Sequence, residues 1–156
     1  AAIHGDLAWG DVPGYVLAQI LGAALGVMAA HAMFGMPVLE LSQTIRSGPA
    51  LIFSEYVATL GLLLVVTGIA RGKSQAAAYA VAGYIVAAYW FTSSTSFANP
   101  AVTLARSLTD SFAGIRPADA PGFIAAQLAA VATIAGFMRP RSTNSPRLCK
   151  GQIQSA

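Results

Sequence analysis

The chain has 156 residues, 56% of them hydrophobic and only 10% charged. Water-soluble domains carry about a quarter charged residues, so this balance excludes an ordinary soluble globule and points to a chain dissolved in a bilayer. The net charge of +3 is no nucleic-acid footprint: residues 1–138 sum to −1, while Arg139, Arg141, Arg147 and Lys150 give residues 139–156 a charge of +4.

The first apolar stretch runs from Gly14 to about Phe34 and holds no Asp, Glu, Lys or Arg. Crossing about 30 Å of hydrocarbon at about 1.5 Å per residue takes around 20 helical residues, so it is long enough to span. Pro13 sits where a helix tolerates proline, in the first turn. Ala18, Gly22, Gly26 and Ala30 form a small-residue stripe, read as close packing within the chain. His31 has no second ligand at helical spacing and is read as a hydrogen-bonded or interfacial histidine; no metal site or cofactor motif is expected anywhere. A loop over residues 36–48 follows, carrying Glu40 and Arg46.

The second span, Pro49 to Ala70, contains Glu55, the single acid inside any span, with Thr59 one turn later on the same face. A carboxylate in hydrocarbon is costly and requires hydrogen-bond donors, so Glu55 and Thr59 are expected to support a neighbouring piece of backbone. "RGKSQ" (71–75) leads to a third, shorter span from Ala76 to about Phe91.

The next stretch, "TSSTSFANPAVTLAR" (92–106), is the most informative. A single helix from Ala76 to Ala105 would be about 45 Å long and broken at Pro100, too long for one crossing. A turn over 92–98 with Asn99 as N-cap and Pro100 at the first helical position removes both objections. "PAVTLARSLTD" can then run to Asp110 as a half-helix of about 16 Å that re-enters the membrane. Its N-terminal amides point at the membrane interior and make that point electropositive. The fourth span is Ala120 to Met138. Basic residues at 71–75 and in the tail fall on one face, which the positive-inside tendency makes cytoplasmic.

"DVPGYVLAQILGAALG" (11–26) and "DAPGFIAAQLAAVATI" (119–134) repeat Asp, Pro-Gly, an aromatic, Ala and Gln at an offset of 108. Gln19 and Gln127 fall at matched depths in two spans, and Tyr15 and Phe123 are both read as packing. Repeated halves with broken helices meeting at the midplane are an architecture of membrane transport proteins. The counterpart of Asn99 would lie nine positions before residue 1, and the chain begins with Ala1, so the sequence is expected to lack an N-terminal part.

Together "NPA" at 99–101, the Glu55/Thr59 pair, and the "AQ" pairs at 18–19 and 126–127 resemble the major intrinsic protein family, the aquaporins and aquaglyceroporins. The resemblance covers about residues 11–138 and leaves out the tail. It implies an all-α membrane protein, an aquaporin-like bundle seen here as about four transmembrane helices and one re-entrant half-helix. Residues 1–138 would be a partial channel domain, supplying the family's third to sixth helices and second half-helix, and 139–156 a disordered cytoplasmic tail. The implied function is a passive channel for water or small uncharged solutes, tetrameric when full length, in the inner membrane of a bacterium. Asn99, Pro100 and Ala101 would form the pore motif, with the carbonyls of Thr95 to Ala98 as acceptors, and Glu55, Thr59, Gln19 and Gln127 as supports.

One position departs from the family pattern: Val102 stands where members usually carry Arg. Arg106, one turn further, either places its charge in the outer mouth or snorkels to the interface. Val102, Ser96 and Ala87 would make a wide, weakly polar constriction, favouring glycerol-sized or metalloid hydroxide solutes. Two other function classes lack the residues they require. A membrane enzyme needs a nucleophile with its base or a cluster of His and acids, and His4 and His31 are far apart with no HExxH. An ion-coupled secondary transporter needs intramembrane ionisable groups, and only Glu55 qualifies. Without the first helices, the 156 residues alone are expected not to conduct.

Overall fold

The computed structural model describes residues 8–72 and 76–137. The basic tail at 139–156, Met138, and Lys73 to Gln75 of the short basic loop lie outside the described residues. Among those described, no strand occurs. A single 3-10 turn (Trp9–Asp11) leads into α1 (Val12–Phe34), followed by α2 (Pro49–Gly72), α3 (Ala77–Phe91), a short α4 (Pro100–Arg106) and α5 (Ala120–Phe137).

The helix boundaries follow local chemistry. Pro13 occupies the first turn of α1, where its missing N–H has no helical partner to lose. Gly35 ends α1 in the left-handed region (φ 65°), and the amides of Gly35 and Met36 both turn back to the His31 carbonyl. Stretches of α1, α2 and α5 are long and apolar enough to cross a membrane. At 15 residues, about 22 Å, α3 is shorter than a full crossing, and its expected span is not met by helix alone.

The packing is inverted relative to a soluble protein. Large apolar side chains such as Leu25, Phe53, Tyr79, Trp90 and Phe137 are exposed, while the buried set includes Ser42, Arg46, Glu55, Thr59, Ser94, Ser96, Thr103 and Gln127. Such an apolar surface is stable against lipid and would aggregate in water. The main helix pair is α2 on α5, with α3 against α2 and α1 resting chiefly on α4. Tyr84 of α3 fixes one contact by donating its hydroxyl to the Ala58 carbonyl at 2.9 Å. A compact apolar cluster of Phe97, Ile115 and Phe123, flanked by Leu51 and Ile52, ties the turn before α4 to α2 and α5.

Three readings of α1 need correction. The stripe of Ala18, Gly22 and Gly26 is exposed, and nothing lies within 4 Å of a Cβ built at either glycine, so it is not a packing seam within the described residues. Tyr15 is 59% exposed whereas its repeat partner Phe123 is fully buried. Gln19 is exposed too, whereas Gln127 is buried. The repeat fixes local sequence, but α5 has α2 and α4 to bury it while α1 rests chiefly on α4.

The connection at 36–48 is no free loop. Ser42 N–H donates to the Ser107 carbonyl, Glu40 N–H to Leu108, and Arg116 N–H returns to Thr44, so it pairs with the chain after α4. His31 bridges the same two segments, contacting the Pro37 carbonyl and the Thr109 hydroxyl. These pairings explain why α4 has only seven residues instead of reaching Asp110. The Arg106 and Ser107 carbonyls, which a longer helix would use, accept from Ile115 and Ser42. Gly114 is required at the crossing: a Cβ there would collide with Ser42 Oγ and the Thr109 carbonyl.

Candidate functional site: a broken helix held by a buried carboxylate

The chain leaves α3 at Phe91 and enters α4 at Pro100, with eight non-helical residues between. Thr92 closes α3 by donating its hydroxyl to the Ala88 carbonyl. Thr95, Ser96 and Ala98 then take φ values of 62°, 49° and 50°, left-handed conformations that residues with a Cβ rarely adopt. Each costs about 1–3 kcal/mol and persists only where surroundings fix it.

Glu55 is the main fixing group. Fully buried on α2, its carboxylate accepts from Phe97 N–H (3.2 Å), Ala98 N–H (2.5 Å) and Gln127 Nε2 (2.8 Å). All three partners are donors, which suits an acceptor-only carboxylate. Ser54 accepts from Ser94 N–H at 3.1 Å, and Ser94 Oγ accepts from Ser96 N–H. Thr95 N–H turns back to the Thr92 carbonyl. With the amides of residues 94 to 98 consumed, no hydrogen bond among the described residues ends on the carbonyls of Thr95 to Ala98. The hydroxyls of Thr95 and Ser96 are buried without a partner.

Asn99 caps α4 as its sequence suggests. Its extended backbone lets Oδ1 accept from Ala101 N–H at 2.8 Å, with Pro100 in the first turn. That bond assigns Oδ1 inward and leaves the Nδ2 donors without a partner among the described residues. Asn99 lines a cavity of about 380 Å³ with Val16, Gln19, Ile20, Pro100, Ala101, Leu104 and Ile124.

The support set differs from the sequence reading. Thr59 donates to the Glu55 backbone carbonyl in its own helix and does not reach the turn. Thr103 takes that place, donating to the Asn99 carbonyl (3.0 Å) and accepting from Gln127 Nε2 (2.8 Å). Gln127 thus joins α2, α4 and α5 through one amide nitrogen, whereas Gln19 makes no side-chain hydrogen bond among the described residues. Thr103 could have been found by its spacing, four residues after Asn99 on one helix face.

Of the expected constriction residues, Ser96 is buried in the turn, Val102 is half-buried on α4, and Ala87 is exposed on α3. Arg106 packs on the turn: its guanidinium carbon lies 4.2 Å from the centroid of the Phe97 ring, and its Nη1 is buried without a partner among the described residues. The guanidinium missed from sequence is Arg46. It donates from Nε to the Gly114 carbonyl (2.7 Å), from Nη1 to Ser94 (3.2 Å) and from Nη2 to Phe112 (2.7 Å), and lies 5.2 Å from the same ring. Burial pushes its pKa down, opposed by Tyr89 and Glu55. Asp119 accepts from Arg46 N–H and from the Arg116 guanidinium, and these bonds, Arg116 first, hold its carboxyl below the usual carboxylate value. Among the described residues, no group of three His, Cys, Asp or Glu could hold a metal.

The chain is 48% identical over 138 residues to Aquaglyceroporin AqpS of Rhizobium meliloti (strain 1021), a match covering 88% of this chain and 59% of that protein. It therefore spans about three-fifths of the length of that curated relative. No family model and no solved structure matches it.

Proposed function

The chain belongs to the major intrinsic protein family, and on that premise we propose that it forms the constriction-bearing part of a passive channel for water and small uncharged solutes. The observation that carries this reading is the Asn99 turn. It offers unspent Nδ2–H donors beside four unspent carbonyls, at a helix break that Glu55 holds rigid. A neutral hydroxylated solute donates to the carbonyls of Thr95 to Ala98 and accepts from Asn99. It exchanges its hydration shell for fixed partners at little net cost. The α4 dipole opposes a cation at the same point. Asn99, Pro100 and Ala101 form the pore motif, and Val102, Ser96 and Ala87 a wide ring suited to glycerol-sized or metalloid hydroxide solutes.

The assembled protein is a homotetramer in the inner membrane with its basic tail in the cytoplasm. The 156 residues alone do not conduct. Supporting this, Gln19, Ala87 and Pro100 around the turn are exposed, so the described residues wall it incompletely. An ion-coupled transporter is disfavoured because Glu55 is consumed by structural hydrogen bonds.

A chimera carrying the 138 matched residues in place of their counterparts in the relative tests the reading by stopped-flow swelling. Expected are glycerol-driven swelling in the chimera, its loss in Asn99→Leu, and no swelling above lipid for the isolated chain. A chimera that folds yet passes neither water nor glycerol, while the parent relative does, contradicts it.

A further inference from the structure

Val102 leaves the constriction without the positive charge that an arginine would bring, yet two guanidiniums lie close behind the turn. Arg46 and Arg106 arrive from different segments, the 36–48 connection and the end of α4, and both rest on the ring of Phe97. Phe97 is itself a turn residue whose amide is held by Glu55. Arg46 is 7% exposed and each of its three side-chain nitrogens is spent on a backbone carbonyl, so its charge is not quenched by a carboxylate. The acids facing the pair are otherwise engaged. Glu55 accepts from the turn amides and Gln127, and Asp119 accepts from Arg46 N–H and the Arg116 guanidinium.

We propose that Arg46 is a specificity-determining residue: anchored on the carbonyls of Ser94, Phe112 and Gly114, and paired with Arg106 across Phe97, it supplies the fixed positive potential at the outer end of the turn that Val102 cannot. This rests on the channel reading above. The carbonyl that Arg46 Nη1 holds belongs to Ser94, two residues before Ser96, which places the charge within reach of the solute path in a low-dielectric setting. Two like charges on one ring repel one another. The Phe97 ring face attracts both cations, and the carbonyls solvate Arg46, which lets them coexist. Neutral solutes pass such a potential freely, whereas cations are turned back.

The test uses the whole 156-residue chain in liposomes, with its single native thiol removed by Cys149→Ser and a reporter introduced by Val102→Cys. Reaction rates with anionic sulfonatoethyl and cationic trimethylammonioethyl methanethiosulfonate are each normalised to a free thiol. The normalised anionic-to-cationic ratio should be about tenfold above unity at low salt and fall toward one at about 1 M salt. Arg46→Gln should lower it severalfold, Arg106→Gln should lower it as well, and Arg46→Lys should restore most of it. A parent ratio at or below unity overturns the proposal even if Arg46→Gln does not fold. A ratio indifferent to Arg46→Gln, or lost equally in Arg46→Lys, also overturns it and leaves Arg46 as a loop clamp only. A thiol at 102 that neither reagent reaches also overturns the proposal, because the charge then faces no aqueous path, while the channel reading stands or falls separately on the swelling of the chimera.

Discussion

Replacing Glu55 with glutamine keeps the shape of the side chain and removes its role. Three residues of the turn hold left-handed backbone at about 1–3 kcal/mol each, so roughly 3–9 kcal/mol must be offset locally. Glu55 accepts three hydrogen bonds, and bonds to a charged group contribute about 1.5–3 kcal/mol each, roughly 4–9 kcal/mol together. The two magnitudes match, so the turn is held with little to spare. In Glu55→Gln one acceptor becomes an NH2 that faces donors. At least one bond is lost and one buried N–H is left unpaired, a net loss of about 2–4 kcal/mol. Amide hydrogen exchange in nanodiscs reads this directly. Protection at Phe97 and Ala98 should fall roughly 30- to 1,000-fold, at 1.4 kcal/mol per decade, while the centre of α2 changes far less. Unchanged protection at 97 and 98 in a folded Glu55→Gln variant would refute the reasoning.

Thr103→Val should lower thermal stability in detergent by about 1–3 kcal/mol, because Gln127 loses an acceptor, whereas Thr59→Val, which loses only a bond within its helix, should cost less than about 1 kcal/mol. Equal effects would contradict the assignment of support to Thr103. Gly114→Ala should destabilise by about 1–3 kcal/mol through collision with Ser42 and Thr109, and a neutral thermal shift would show that the crossing is not tight. Asp119 has its pKa depressed in the folded state. Its contribution is therefore full above the unfolded value of about 4 and is lost as pH falls through the lower folded value. The midpoint of thermal unfolding should decline below about pH 4 and decline less in Asp119→Asn; identical acid profiles would remove Asp119 from the account of loop attachment.

What was legible in the sequence was local. Apolar runs gave the helices to within a few residues, and Asn99-Pro100 gave the cap and the start of α4, because both depend on neighbours within one turn. Glu55 stood out because an acid in a span must find donors, although the sequence could not say which. The partners of Glu55 lie 42, 43 and 72 positions away, and those of the Arg46 guanidinium between 48 and 68. No short-range pattern encodes such distances. The same limit explains the misplaced Thr59, whose spacing from Glu55 is ideal but whose hydroxyl is satisfied by its own helix. It also explains Gln19, which shares a sequence register with Gln127 but not its neighbours. The 36–48 segment reads as a loop by composition, and its attachment through Glu40, Ser42 and Thr44 depends on the chain beyond α4.

The central physical claim is that the backbone turns around within the bilayer at Asn99 and starts α4 there. A nitroxide attached at Pro100→Cys, an exposed first-turn position, measures this through its relative accessibility to oxygen and to a water-soluble nickel chelate. A depth near the middle of the hydrocarbon, about 10–15 Å below the headgroups, is the expected result. A label at headgroup level, as accessible to the nickel complex as one at Gly35, would place the break at the surface and contradict the claim.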